Sequence, residues 1–492
     1  MFAVHTRLRR ALLREPPPLA ALARHTYYPW LVVGTVCIGA FMGQADASIA
    51  QMVLPVLEHD FDEPLRLISW VAVAYMLALA VLLPIFGRLA DLYGRKLLYT
   101  VGFLLFIVGS ALCGAATDIA ALIGFRVLQA TGAALLQANS VAIVVSAVGP
   151  EHRGRAIGLQ ATAQAVGLSV GPVIGGLLID ALNWRWVFWV NVPFGLFGAV
   201  MGWFVLPQTE VVATDRHVDW WGTLLLAPAM TALMLMINQG QTWGIASAPF
   251  AVCAVGTAVL VPAFVWRERG QNAPLLDLAL FRRHAFWAGS VAGLLSYATL
   301  FGMFFLLPFV FARGYHQSAL IAGVSLAMIP AALALVAPLS GALYDHLGPR
   351  LLTTGGMALS FAAFLVLALT MTSGASSLLP MMMALALFGV GQGLFTSPNN
   401  SSVMAAAPAD CIGQAGGILN MTRSFGTSVG IVTASAVLAW RLGVLTGHVG
   451  HTLYAPPPAL LTASREVMIM FALFALAATA LSWSRPHHQG PS

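Results

Sequence analysis

Apolar residues in this chain fall in long stretches of roughly 18 to 25 residues, unlike the alternating or one-faced patterns of water-soluble strands and helices. Fourteen such runs lie at about 30–57, 68–86, 97–116, 119–148, 156–182, 187–206, 220–239, 248–266, 286–312, 318–340, 351–371, 378–405, 413–440 and 466–484. As a helix, each is long enough to cross a hydrocarbon core of about 30 Å. Internal prolines such as Pro172 and Pro330 are compatible with this, because neighbouring helices can satisfy the freed backbone groups. A membrane barrel would need polar and apolar residues to alternate over about ten positions, whereas these runs are apolar all round. The pattern predicts an all-α integral membrane protein.

Composition excludes the soluble classes. Hydrophobic residues make up 59% and charged residues 9% of the chain, and the mean hydropathy is +0.84; soluble domains carry about 25% charged residues. If the N-terminus is cytoplasmic, 17 of the 24 basic residues fall inside, between Arg7 and Arg485. Five fall outside (Arg66, Arg185, Arg313, Arg441, Arg465), and Arg126 and Arg423 lie within spans. This asymmetry follows the positive-inside rule and predicts that both termini are cytoplasmic. The net charge of +6 is then a topology signal. Basic residues scattered over separate loops make no patch for a phosphate backbone, so nucleic acid is not an expected partner.

Residues 1–29 hold five Arg and the break Pro16-Pro17-Pro18, but no small-residue cleavage site after an apolar core, and read as a basic cytoplasmic tail. The four cysteines, Cys37, Cys113, Cys253 and Cys411, lack metal-site spacing. No metal and no cofactor is expected. Clustered catalytic acids and histidines at a membrane face are absent from the sequence, so an enzyme is not expected either.

The chain also repeats itself. Gly87-Arg88-Leu89-Ala90-Asp91-Leu92-Tyr93-Gly94-Arg95-Lys96 is echoed 254 positions later by Gly341-Ala342-Leu343-Tyr344-Asp345-His346-Leu347-Gly348-Pro349-Arg350. A shift of 259 lays Glu151 on Asp410, Gly154 on Gly413, Gly167 on Gly426, Ser169 on Ser428 and Gly171 on Gly430. Two six-span halves are predicted, at 30–206 and 286–484, with two inserted helices between them at 207–285 and a short tail at 485–492. Duplicated halves around a midplane site are the architecture expected for alternating access.

The paired hinge loops resemble the signature loop of the major facilitator superfamily. The resemblance implies that Gly87, Asp91, Gly94, Arg95, Lys96, Asp345 and Arg350 gate conformational change, although the family has a basic residue where this chain has Leu92. A charged loop that only fixes topology is the plainer reading. The string Gly167-x-x-x-Gly171-Pro172-x-x-Gly175-Gly176 places glycines on one helix face, where backbones can approach closely. It also looks like the superfamily's antiporter motif.

Asp46 is the only carboxylate well inside a predicted span, and Arg126 is the only basic residue inside one in the first half. A charge at the bilayer centre costs roughly 2.5–3.5 kcal/mol on insertion scales, so each calls for a partner or a purpose. Ionised when paired and protonated when occluded alone, Asp46 has the properties of a proton site; a static ion pair is the other reading. Asp46-x-Ser48-Ile49-Ala50-x-x-x-Leu54-Pro55, Trp184-Arg185-Trp186-Val187-Phe188-x-x-Asn191-x-Pro193, Asp219-Trp220-x-Gly222 and Arg423-Ser424-Phe425-Gly426-x-x-x-Gly430 resemble the fourteen-span drug:proton antiporters, and the likeness extends over about residues 30–484.

That resemblance implies a secondary transporter of the bacterial inner membrane, set in lipid, acting as a monomer and exporting small amphiphilic substrates against protons. A periplasmic adaptor and an outer-membrane duct stay open as partners. Candidate cavity residues are Gln129, Gln164, Trp70, Tyr75, Phe301, Phe305, Phe309, Asn400 and Arg423, with packing as the alternative for the aromatics and for Arg423. A lipid or cell-envelope precursor transporter on the same fold is the competing function. The predicted outer loop 441–465, with His448, His451 and Pro456-Pro457-Pro458, is its candidate element.

Overall fold

The computed structural model describes residues 15, 17–208, 220–244, 246–270, 278–371, 378–408, 412–447 and 452–485. Each apolar run is helical, because a bilayer offers no water to satisfy backbone N–H and C=O groups. The helices are α1 (Tyr28–Phe61), α2 (Trp70–Tyr93), α3 (Arg95–Gly114), α4 (Ile119–Ala147), α5 (Arg153–Ala181), α6 (Asn191–Val205), α7 (Trp220–Trp243), α8 (Ala248–Arg269), α9 (His284–Phe309), α10 (Ala319–Tyr344), α11 (His346–Thr370), α12 (Leu379–Ala405), α13 (Ile412–Thr446) and α14 (Pro457–Trp483). Among the described residues, 13 helices are long and apolar enough to cross a membrane. The fourteenth predicted span lies in α7, whose apolar stretch, Leu224–Ile237, is shorter.

The two halves pack alike. α1 lies along α5 in the first, and α9 along α13 in the second. The glycine stripe explains the closeness: a side chain at Gly167 would meet the Phe41 carbonyl, and one at Gly171 would meet Ser48. At the repeat-equivalent positions, Gly426 and Gly430 sit on the carbonyls of Leu294 and Ala298. Inserted helices α7 and α8 pack on each other, and α7 also touches α2 and α13, one helix from each half. Val252, Val255, Val259 and Trp266 of α8 are largely exposed, an apolar face suited to lipid.

Both hinge loops turn on a glycine in the left-handed region, Gly94 (φ 107°) and Gly348 (φ 72°), a conformation that L side chains resist. The positions correspond under the 254-residue repeat. Gly87 differs, because a side chain there would meet open space. Lys96 is buried. The side chains of Asp91 and Asp345 lie outside the described residues. Arg350 stacks its guanidinium 4.1 Å from the Trp483 ring centroid.

An acid from the tail serves the first hinge loop. Glu15, the only acid before Asp46 in the sequence, accepts the N–H of Leu97 at 3.0 Å. It thereby satisfies an orphan donor in the first turn of α3, where the helix dipole favours an anion. Its own carbonyl accepts from Gln208 at 2.6 Å. Glu15→Ala is expected to cost about 1 kcal/mol, as loss of a helix cap does, read as a lowered melting temperature in detergent; an unchanged melting temperature would refute the cap.

Three boundaries differ from expectation. Helix α1 runs one turn beyond its predicted end at 57, to Phe61, and buries Glu58 completely. The predicted outer loop 441–465 is mostly helix, since α13 reaches Thr446 and α14 starts at Pro457, with Arg441 paired to Glu466 between them. His448 and His451 lie outside the described residues. Arg485, predicted to begin a solvated tail, is buried and donates to Asn399 Oδ1 at 2.6 Å. Desolvation pushes its guanidinium down to about 10.

Candidate functional site

Asp46 and Arg126 meet. One guanidinium nitrogen of Arg126 donates to Asp46 Oδ2 at 2.7 Å, with both side chains at most 1% exposed. The second carboxylate oxygen, Oδ1, accepts from Gln129 and Asn191, each at 2.8 Å. Ser110 accepts from the same two amides at 3.1 Å and donates to the Phe188 carbonyl at 2.8 Å. Arg126 also donates from Nε to the Val71 carbonyl at 3.0 Å and lies over the Tyr75 ring, 4.0 Å from its centroid. A buried pair breaks even against desolvation only when hydrogen bonds satisfy its remaining sites, and Val71, Gln129 and Asn191, from three helices, supply them here.

Asn191 and Ser110 were not singled out for this role from sequence. Single polar residues in α6 and α3 carry no periodic signal, and only the packing of those helices aims Asn191 at the Asp46 carboxylate and Ser110 at the two amides that bind it. Asn191→Leu removes a donor from a buried anion, for which a loss of about 1–3 kcal/mol is expected. Thermal unfolding in detergent checks this, and an unchanged midpoint would mean that Gln129 alone suffices.

A cavity of about 730 Å³ lies between the halves. Its walls include Gln164, Tyr75, Phe301, Asn400 and Arg423, as expected, together with Gln44, Gln137, Tyr297 and Thr427. It reaches Gly158 and Ser401, close to the hinge-loop ends of α5 and α12. Four of the expected cavity residues lie elsewhere: Gln129, Trp70, Phe305 and Phe309. Gln129 is consumed by the Asp46 cluster. Phe305 points into the core, wholly buried and tilted against Phe309. Trp70 packs against the same apolar core. These helices are apolar all round, so no stripe distinguished the cavity face from the core face.

The opposite face is closed by contacts between the halves. Glu58 accepts from Arg313 at 2.5 Å and from the Thr452 N–H at 2.6 Å, while Arg313 also reaches the Pro55 carbonyl at 2.8 Å. Asp180, at the end of α5, accepts the N–H groups of Ala319 and Leu320 at 3.2 and 2.9 Å, capping α10. Tyr454 donates to Asp62 at 3.1 Å. The antiporter-like string divides its work. Gly167, Gly171 and Gly175 serve α1, whereas Gly176 lies against the Ala319 backbone and the Pro172 carbonyl lies against Gly323 of the other half.

Comparison with known proteins settles the family. A family model described as Major Facilitator Superfamily matches residues 36–431. The chain belongs to the major facilitator superfamily. This facilitator is 31% identical over 424 residues to the riboflavin transporter RibZ of Clostridioides difficile (strain 630), covering 86% of this chain and 91% of that protein. It is 33% identical over 426 residues to the multidrug resistance protein Stp of Mycobacterium tuberculosis (strain CDC 1551 / Oshkosh), covering 85% and 78%. Among solved structures, a bacterial homolog of the human lysosomal transporter Spinster, inward-facing and unoccupied, matches with a TM-score of 0.69 at 16% identity, over 93% of this facilitator and 97% of that chain. The facilitator is a multi-pass membrane transporter and not an enzyme.

Proposed function

We propose that this facilitator is a proton-coupled antiporter that exports small amphiphilic compounds across the bacterial inner membrane, with both termini cytoplasmic and the chain working as a monomer. The observation that carries the reading is the buried mid-span carboxylate of Asp46, held by Arg126, one residue along α1 from the cavity wall at Ala47. With the hinge loops on the cytoplasmic side, the cavity reaches toward the cytoplasm and the Glu58 and Asp180 clasps seal the outside. The names of its relatives, a riboflavin transporter and a multidrug resistance protein, both denote carriers or resistance to small organic compounds.

The coupling follows from the cost of a buried charge. Protonating Asp46 strips Arg126 of its counter-ion, and an uncompensated buried charge costs about 3–5 kcal/mol. Inverting a two-state population from 1:99 to 99:1 takes about 5.5 kcal/mol, so this one event supplies most of what a switch requires. Tyr75 links the two regions: its ring carries Arg126 and also lines the cavity. Substrate released outward on proton entry, then deprotonation inward, completes the cycle. Sealed proteoliposomes with a pH dye inside test the proposal: substrate-evoked proton movement is expected, and none with any amphiphile would reject it.

A further inference from the structure

The walls of the central cavity are electrically one-sided. Among the described residues that line it, no carboxylate appears and one side chain is charged, Arg423. Asp46 is wholly buried and contributes nothing to the wall. No acid pairs with the Arg423 guanidinium among the described residues, in contrast to Arg126, Arg313 and Arg441, each of which holds a carboxylate. Arginine stays protonated at any physiological pH, so the cavity holds a permanent positive charge.

The rest of the wall is neutral and rich in hydrogen-bonding groups. The repeat that relates the halves lays Gln164 on Arg423, so one half offers a neutral amide where the other offers a cation. Asn400 and Gln137 add donors, and Tyr75, Tyr297 and Phe301 add aromatic surface. A lipophilic cation would meet an unscreened like charge in a space of reduced dielectric, where such repulsion is stronger than in water. A carboxylate or phenolate would meet a planar fork of donors of matching geometry.

Building on the antiport reading above, we infer that the preferred substrates are planar aromatic anions, such as aromatic carboxylates and phenolates, followed by neutral polar aromatics, and that Arg423 is the residue that selects for negative charge.

The test uses three probes with one ring system and three charges: pyrene-1-carboxylate, pyrene-1-carboxamide and pyren-1-ylmethylammonium. Binding is measured to the full chain in nanodiscs, against empty nanodiscs. In wild type the carboxylate is expected to bind about tenfold or more tighter than the ammonium, the carboxamide falling between them. Arg423→Gln is expected to erase the preference for the carboxylate while leaving carboxamide affinity within about threefold, which also shows that the cavity is intact. Arg423→Lys is expected to retain the sign of the preference. Equal binding of all three probes, tightest binding of the ammonium, or a carboxylate preference that survives in Arg423→Gln would each overturn the inference. Proton movement evoked by the carboxamide reports on antiport separately: its absence alongside intact charge selection would count against the antiport reading alone.

Discussion

Replacing Asp46 with Asn is expected to abolish substrate-evoked proton movement in sealed proteoliposomes while leaving substrate binding in place. The amide has the shape of the carboxylate and can still accept from Gln129 and Asn191, the partners of Oδ1 at 2.8 Å, but it cannot exchange a proton in this range. It also leaves Arg126 buried without its counter-ion, for which a penalty of about 3–5 kcal/mol is expected. Loss of coupling alone is therefore open to the objection that the protein is damaged. The double variant Asp46→Asn/Arg126→Gln removes the orphaned charge, and it is expected to recover thermal stability without recovering coupling. Proton movement that persists in either variant would exclude Asp46 as the carrier.

The second large effect is expected at the seal on the face opposite the hinge loops. A side chain at Gly176 would run into the backbone of Ala319 at the first turn of α10, and a backbone has no rotamer with which to retreat. Overpacking of this kind costs about 1–3 kcal/mol, and here the cost falls only on the state in which the halves meet. Every 1.4 kcal/mol is a factor of about ten in an equilibrium. Gly176→Val is expected to shift the population toward opening on that face and to cut export about tenfold or more. Spin labels at the exposed sites Asn183 and Thr462 read the shift as a longer distance. Gly175→Val serves as the contrast. Its neighbours are side chains of Ile49 and Met52 in the same half, so it is expected to lower stability without opening the seal. An unchanged label distance in Gly176→Val would show that the seal does not depend on this contact.

Much of this architecture was legible in the sequence because a bilayer leaves few choices. A run of apolar residues with no alternation has to be a helix there, and the recurrence of Gly94 at Gly348 survives as a shared left-handed turn. Asp46 and Arg126 stood out because charges within spans are scarce and each calls for a partner or a purpose. What sequence did not reveal was how far the cavity extends along each helix. Phe301 and Phe305 lie one turn apart on the same face of α9, yet Phe301 lines the cavity and Phe305, one turn beyond it, is wholly buried in the core. A helix that is hydrophobic on every side encodes no such difference. Glu58 was placed beyond its span because the apolar run ends near it; its burial depends on Thr452 and Arg313, contributed from 394 and 255 residues away. Contacts at that separation leave no trace in local pattern.

The single positive charge on the cavity wall bears on energy supply as well as on recognition. A transporter that admits one proton for each monoanion it expels moves two elementary charges inward across a membrane whose interior is negative. Each is worth about 2.3 kcal/mol per 100 mV, so a voltage of about 100 mV contributes about 4.6 kcal/mol to every turnover. The same exchange with a monovalent cation moves no net charge and must run on the pH gradient alone. If Arg423 selects anions and export is coupled to protons as proposed, the choice of cargo is also a choice of power source: anion export would be electrogenic and is expected to persist in alkaline surroundings, where the proton gradient vanishes and the voltage does not.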